Sequence, residues 1–202
     1  GLCRDPRMLD AIMSGQDLHN FTAEAIFGET FTPRDRKLCK AVGLGKVYGG
    51  GAPNVSRDTG IELTSVRTAM AKYDSTFPGI KENGELVLAK AQARDRLEVV
   101  NAHGRIIPMD PTRPWAAINY SVQSIARDIL ADAVVRIFDA GYGDRLLLPV
   151  HDELICQAPI AEAEAFAETL RGLMEVRFQG VPILAEAEVY GASWGHGYGA
   201  TD

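Results

Sequence analysis

Arg36, Lys40, Leu44 and Tyr48, each four residues from the next, form the pattern in this chain with the clearest chemical content. That spacing lays side chains along one slowly drifting helix face. At about 1.5 Å of rise per residue the stripe is roughly 18 Å long. Two cations stand at its N-terminal end, an apolar side chain follows, and an aromatic ring closes it. A core stripe would be apolar throughout, and a solvated face would be polar throughout. A stripe that changes character suits a ligand that does the same, such as a nucleotide with its triphosphate at one end and its base at the other. Arginine offers a planar fork to phosphate oxygens and lysine a point charge. The helix N-terminus adds partial positive charge for the same anion. The stripe lies in a basic cluster of Arg34, Arg36, Lys37, Lys40 and Lys46 against Asp35 alone, which equally fits a solvated helix face. Gly43 and Gly45 inside this segment each cost a helix about 1 kcal/mol relative to alanine. They mark either a close approach to the backbone or a local kink.

A second group is His151-Asp152-Glu153, set between the apolar runs Leu146 to Val150 and Leu154 to Cys156. Aspartate at a hairpin tip is commonly a turn residue and nothing more. A carboxylate pair at the end of buried strands is costly without cations, however. Magnesium ions with a triphosphate would meet that need. In two-metal phosphoryl transfer, carboxylates from separate segments hold ions about 3.5–4 Å apart.

The elements that must position these groups change character along the chain. Residues 6 to 13 carry a short helical pattern. Asp17 is placed to cap a second helix that Gly28 ends. Thr32-Pro33 offers an N-cap followed by proline at the first helical position, and that helix runs to Tyr48, stopping at Gly49-Gly50-Gly51. Glu62 to Phe77 is amphipathic, and a polar-rich helix is predicted from Ile80 to about Arg96. Val99-Val100 and Ile106-Ile107 flank Asn101-Ala102-His103-Gly104, which reads as a hairpin. After an irregular stretch with Pro108, Pro111 and Pro114, a long helix is expected to bury Ile125, Ile129, Leu130, Ala133, Val134, Ile137 and Phe138. A final helix carries Phe166, Leu170, Leu173 and Met174, and Ile183 to Val189 suits a last strand. The sequence thus predicts an α+β protein with a helical first half, the halves meeting near residue 98.

The 202 residues are 46% hydrophobic and 24% charged, as expected of a globular chain. No apolar run is long enough to span a bilayer, and no signal peptide is recognisable. Three scattered cysteines without a C-x-x-C pair argue against zinc ribbons and disulfide frameworks and suit a reducing cytoplasm. The net charge of -6 disfavours nucleic acid in bulk, but charge distribution counts for more than the total, and the cluster at 34–46 is concentrated. Gly1 is not a start methionine, and Leu2-Cys3-Arg4-Asp5-Pro6 reads as the interior of a longer protein.

Taken in order, the motifs resemble those of family A DNA polymerases, the group of bacterial repair polymerases and many phage replicases. Arg36-x-x-x-Lys40 with Leu44-Gly45-x-x-Tyr48-Gly49 resembles the family's fingers helix, and Val150-His151-Asp152-Glu153-Leu154 its palm hairpin. Asp17-Leu18-His19 with Thr22-Ala23 and Phe27-Gly28, Tyr73 with Phe77-Pro78-Gly79, Gly104-Arg105, Ala117-Ile118-Asn119 leading to Gln123, and Trp194 fall in the same order. The resemblance implies a helical fingers subdomain over residues 1–98, joined at its N-terminus to the palm. Residues 99–202 would be the C-terminal part of that palm, a small antiparallel sheet with flanking helices. It implies template-directed addition of deoxynucleotides to a primer 3′-end by two-metal phosphoryl transfer. His19, Arg36 and Lys40 would contact the triphosphate, and Leu44 and Tyr48 would line the sugar and base pocket. Arg105, Asn119, Gln123 and His151 would touch primer-template DNA. Asp152 would bind Mg2+, with Glu153 a secondary carboxylate. Position 44 is usually Phe or Tyr in the family, so Leu44 should alter sugar discrimination and slow incorporation. Trp115 stands where many members carry Arg. The family's D-Y-S-x-x-E-x-R segment, bearing the other catalytic aspartate, is expected just upstream of Gly1 and is absent from these residues. One set of metal ligands would then be missing, and the chain alone would be inactive. Four readings remain open: a polymerase portion, one half of a split polymerase completed by its N-terminal partner, a non-catalytic nucleic-acid-binding module, and a helical protein with an unrelated metabolic role that would leave the ordered motifs as coincidence.

Overall fold

The structure is a computed structural model that describes residues 5–48, 50–93, 96–191 and 193–199. Gly49, Arg94 and Asp95 lie outside the described residues, as do residues 1–4. The described elements are mostly helical, with three separate two-stranded sheets, which makes the fold α+β.

Contacts divide the chain into two compact units, one of residues 1–125 with 179–181 and one of 126–178 with 182–202. The first opens with α1 (Pro6–Met13) and α2 (Leu18–Phe27). Asp17 caps α2 by accepting from the Asn20 N–H at 2.7 Å, and Gly28 ends it at φ +89°. In α3 (Pro33–Tyr48) the start is a reciprocal box: the Asp35 N–H donates to Thr32 Oγ1 while the Thr32 N–H donates to Asp35 Oδ2. Hydrogen bonds from Thr32 hold the Asp35 carboxyl below its ordinary range.

A short helix that the sequence pattern does not announce follows, α4 (Ala52–Thr59). It has one buried apolar anchor, Val55, and carries Pro53 in its first turn; Gly60 at φ +71° closes it. Next come α5 (Leu63–Thr76) and α6 (Pro78–Gln92). The latter begins at Pro78 rather than Ile80, because proline is favoured in a first helical turn. Ala23, Leu38, Cys39, Val42, Val55, Val66, Ala69, Tyr73 and Phe77 close into one core. Phe77 is fully buried between the rings of Phe21 and Tyr73. Burial pushes the Cys39 thiol up to about 11.

The hairpin β1 (Glu98–Val100) and β2 (Ile106–Pro108) packs Val99 with Ala91, Met109, Ala116 and Ala117 in a second cluster. A short 3₁₀ turn leads into α7 (Ala117–Ile137), and the division between the units falls inside this helix.

In the second unit, Leu130, Ala133 and Ile137 are buried as expected, but Phe138 is 69% exposed. The helix widens into a π turn at Phe138–Tyr142 with Gly141 at φ +86°, which carries Phe138 off the buried face. The hairpin β3 (Leu146–Val150) and β4 (Glu153–Cys156) is antiparallel, with Val150 opposite Glu153 and an irregularity between Leu146 and Leu148. α8 (Ala163–Met174) buries Phe166. Arg145 lies over the rings of Tyr142 and Phe166 and pairs with Glu162 at 2.6 Å.

β5 (Val176–Phe178) pairs with β6 (Val181–Ile183) through Gln179 and Gly180, both at positive φ. That pair replaces the strand expected over Ile183 to Val189. Residues 184–190 have strand-like alternation but no strand partner among the described residues, and alternation alone cannot satisfy backbone hydrogen bonds.

Candidate functional site

In α3 the two faces separate cleanly. Leu38, Cys39 and Val42 are buried in the first core, while Lys40, Leu44 and Tyr48 are exposed and Arg36 is half-buried. Leu44 and Tyr48 keep nearly half their surface open at 46% and 48%. Large apolar side chains grouped on an open helix face are candidates for contact with a ligand. The stripe predicted from spacing therefore exists as a surface, cationic at its start and apolar-aromatic at its end.

Packing accounts for Gly45 but not for Gly43. A Cβ at Gly45 would lie 2.8 Å from Val55 Cγ2 and 3.2 Å from the Gly50 carbonyl oxygen. At Gly43 a Cβ would meet the Tyr73 ring in ordinary contact, 3.5 Å from Oη. Of the two, Gly45 records a close approach to the α3 backbone.

The basic cluster is partly engaged. Lys46 pairs with Asp74 at 2.6 Å in a half-buried setting, which removes it from the ligand-facing set. Arg36 donates from Nε to Asn20 Oδ1 at 2.6 Å and from Nη2 to Asp17 Oδ2 at 3.0 Å, both on α2 or its cap. His19, half-buried, sits in the first turn of the same helix. At the other end of the stripe, Gln123 Nε2 on α7 donates to Tyr48 Oη at 2.8 Å. Two residues singled out from different motifs, 75 positions apart, are thus in direct contact. Asn119, one turn earlier on α7, has a buried Oδ1 with no hydrogen-bond partner. Leaving such an atom unsatisfied costs about 1–3 kcal/mol.

Arg105 is exposed in the β1–β2 loop. The loop is shaped by Asn101, whose Oδ1 accepts the N–H groups of His103 and Arg105 at 2.9 and 3.0 Å. Asn101 Nδ2 donates to Ser124 Oγ on α7 at 3.2 Å. In the sequence Asn101 stands out only as a turn residue. Its burial was the missed signal, and burial is not visible in a lone Asn-Ala-His-Gly.

His151, Asp152 and Glu153 form the tip of the β3–β4 hairpin in the second unit, all exposed. His151 has φ +54°, an uncommon conformation for a residue with a Cβ, of the kind that clusters at functional tips. The strands behind the tip are not buried as the sequence suggested: Leu147 and Leu148 are half or more exposed. Among the described residues no group of three or more His, Cys, Asp or Glu could hold a metal ion. Magnesium takes one or two protein carboxylates together with waters and substrate phosphates. Asp152 offers an exposed carboxylate at this tip.

The sequence model of DNA polymerase family A matches residues 1–196, and the chain belongs to that family. The DNA polymerase of Mycobacterium phage D29 is 36% identical over 98% of this chain and 33% of its own length. DNA polymerase I of Streptococcus pneumoniae is 30% identical over 96% of this chain and 24% of its own length. A solved structure of the POL domain of Pol1 from M. smegmatis, in complex with DNA primer-template and dNTP, superposes with a TM-score of 0.74. It is 27% identical and covers 90% of this chain and 35% of its own. The chain therefore spans about a third or less of the relatives it matches. Among the described residues no helix is long and apolar enough to cross a membrane.

Proposed function

We propose that this chain is the part of a DNA polymerase that grips the incoming deoxynucleoside triphosphate and the primer-template, with fingers over residues 1–98 and the C-terminal palm over 99–202. The observation that carries the proposal is the open face of α3. Arg36 and Lys40 stand at one end of it, and exposed Leu44 and Tyr48 at the other. A related polymerase domain, solved with primer-template and dNTP, supports the same ligands here. In this reading Arg36, Lys40 and His19 hold the triphosphate. Leu44 and Tyr48 face the sugar and base, and Gln123 fixes the Tyr48 ring through its hydroxyl. Arg105, Asn119, Gln123 and His151 contact DNA.

Asp152 would offer one carboxylate to Mg2+, with Glu153 beside it as a secondary carboxylate. Magnesium in such a site neutralises phosphate charge. Because carboxylates from separate segments hold the ions of a two-ion site, Asp152 in this reading works with a second carboxylate segment.

The purified 202-residue chain is therefore expected not to extend a primer. Supplying a polypeptide that carries a D-Y-S-x-x-E-x-R segment should restore metal-dependent extension, and Asp152→Ala should abolish it again. Robust extension by the chain alone would overturn the requirement for a second segment. Unchanged DNA binding with no extension under any complementation would favour a non-catalytic binding module. In the complemented enzyme Leu44→Phe should speed incorporation, by about tenfold or less for one packing contact. Single-turnover rates and deoxy-to-ribo ratios that both stay unchanged would remove the assigned role of Leu44.

A further inference from the structure

Arg36 is held along one edge by α2. Its Nε donates to Asn20 Oδ1 and its Nη2 to Asp17 Oδ2. The other oxygen of Asp17 accepts from the Asn20 backbone N–H, the bond that caps α2. That bond, ahead of the pairing with Arg36, holds the Asp17 carboxyl below its ordinary range. Asn20 thus serves the set twice, as a donor through its backbone and as an acceptor through its side chain.

The Arg36 and Asp17 side chains are 38% and 46% exposed. An ion pair this open to water adds little to stability. Its larger effect is to hold still a side chain that would otherwise sample many rotamers. A guanidinium has five N–H donors, and Asp17 and Asn20 take one on Nε and one on Nη2. The Nη1–Nη2 edge keeps the fork that matches two phosphate oxygens.

We propose that Asp17 and Asn20 are positioning residues, holding the Arg36 guanidinium by its Nε edge so that its Nη edge is presented ready-oriented to the phosphates of a nucleoside triphosphate. The inference rests on the nucleotide-binding role given to Arg36 and extends it to two residues that touch no phosphate. The Asp17 carboxylate also repels the anion, but across an exposed surface that repulsion is weakened by water and salt. Immobilising a rotamer-rich side chain in advance is the larger contribution.

Two substitutions separate positioning from folding. Asp17→Asn keeps a good N-cap for α2 while turning an NH2 group, which cannot accept, toward Arg36. Asn20→Ala removes the acceptor for Nε and leaves the capping N–H in place. Binding of inorganic tripolyphosphate and of dATP to the full chain would be measured by calorimetry at fixed salt, alongside Tm. Asp17→Asn and Asn20→Ala are each expected to weaken tripolyphosphate binding about three- to tenfold, with Tm within about 2 °C of the parent. In an Arg36→Lys background, which has no fork to orient, Asp17→Asn should have no further effect. Should Arg36→Ala weaken binding while Asp17→Asn and Asn20→Ala bind as tightly as the parent or tighter, positioning is overturned and the nucleotide site stands. If Arg36→Ala has no effect, or the parent binds neither probe, the nucleotide site falls and the positioning role with it.

Discussion

The helical bundle of α2 to α5 and the region from the C-terminal half of α7 onward are packed to different densities. In the bundle Val42, Val66 and Phe77 have no exposed surface and Cys39 almost none. In the second unit the buried apolar residues are few, namely Leu130, Ala133, Ile137 and Phe166. Most of the large apolar side chains that face solvent are there as well, including Phe138, Leu147, Leu148, Ile160 and Leu184. The first unit is a finished core that presents a chemical stripe on its outside. The second is a set of short elements around one helix, and its candidate carboxylates project from the tip of an exposed hairpin. Rigidity for gripping a ligand is therefore available within the first unit, while the acidic tip stands on an exposed hairpin with little packed behind it.

This contrast makes truncation in the two regions unequal. Phe77→Ala should destabilise the chain by about 3–5 kcal/mol, whereas Leu148→Ala should stay within about 0.5 kcal/mol. Urea denaturation of both variants checks this, and equal losses would break the distinction. A smaller effect is expected at Gly45. Alanine there gains about 1 kcal/mol of helix propensity, but its Cβ would press on Val55 and on the Gly50 carbonyl. Overpacking of this kind costs about 1–3 kcal/mol, so the midpoint should fall, and a rise would show that α4 yields easily.

Thiol reactivity sharpens the same comparison. Burial raises both described thiols, Cys39 to about 11. Cys39 is buried in the bundle, while Cys156 is half-buried on β4. Alkylation of the native chain near pH 8, followed by peptide mapping, should modify Cys156 well before Cys39. The smallest effect concerns pH. The Asp17 carboxyl is lowered in the folded state, chiefly by the Asn20 N–H and also by Arg36. A lowered carboxyl contributes stability that is present above its unfolded pKa and lost as pH falls through the folded value. Asp17→Asn should therefore flatten the acid side of the Tm profile below the ordinary aspartate range and leave neutral pH nearly untouched. An unchanged acid limb would show that the cap and pair carry no measurable linkage.

Much of the site was legible because its signals are local. Capping by Asp17 and Thr32, the breaks at Gly28 and Pro78, and the spacing of Arg36, Lys40, Leu44 and Tyr48 all depend on residues within a few turns of one another. The β3–β4 hairpin was also readable from two apolar runs around His151-Asp152-Glu153. Less legible were elements whose reasons lie elsewhere in the chain. α4 exists because Val55 packs into the bundle core, yet at eight residues it is too short for its apolar spacing to stand out. The strand expected at 183–189 has the right alternation but no neighbour among the described residues to accept its hydrogen bonds. Phe138 was assigned to the buried face of α7, and the π turn at its end moved it into solvent.

By itself, then, the sequence determined most of the helices, the α3 stripe that runs from cationic to apolar-aromatic, and where the acidic tip lies. Helix caps, periodicity and turn chemistry act over short distances, so they survive being read one segment at a time. Only the tertiary structure decided that Lys46 is spent on Asp74, that Gly45 makes room for Val55, that Gln123 reaches Tyr48, and that Arg36 is held by Asp17 and Asn20. Each of these joins residues on different elements. Their meeting depends on how whole helices pack, and no local pattern encodes that.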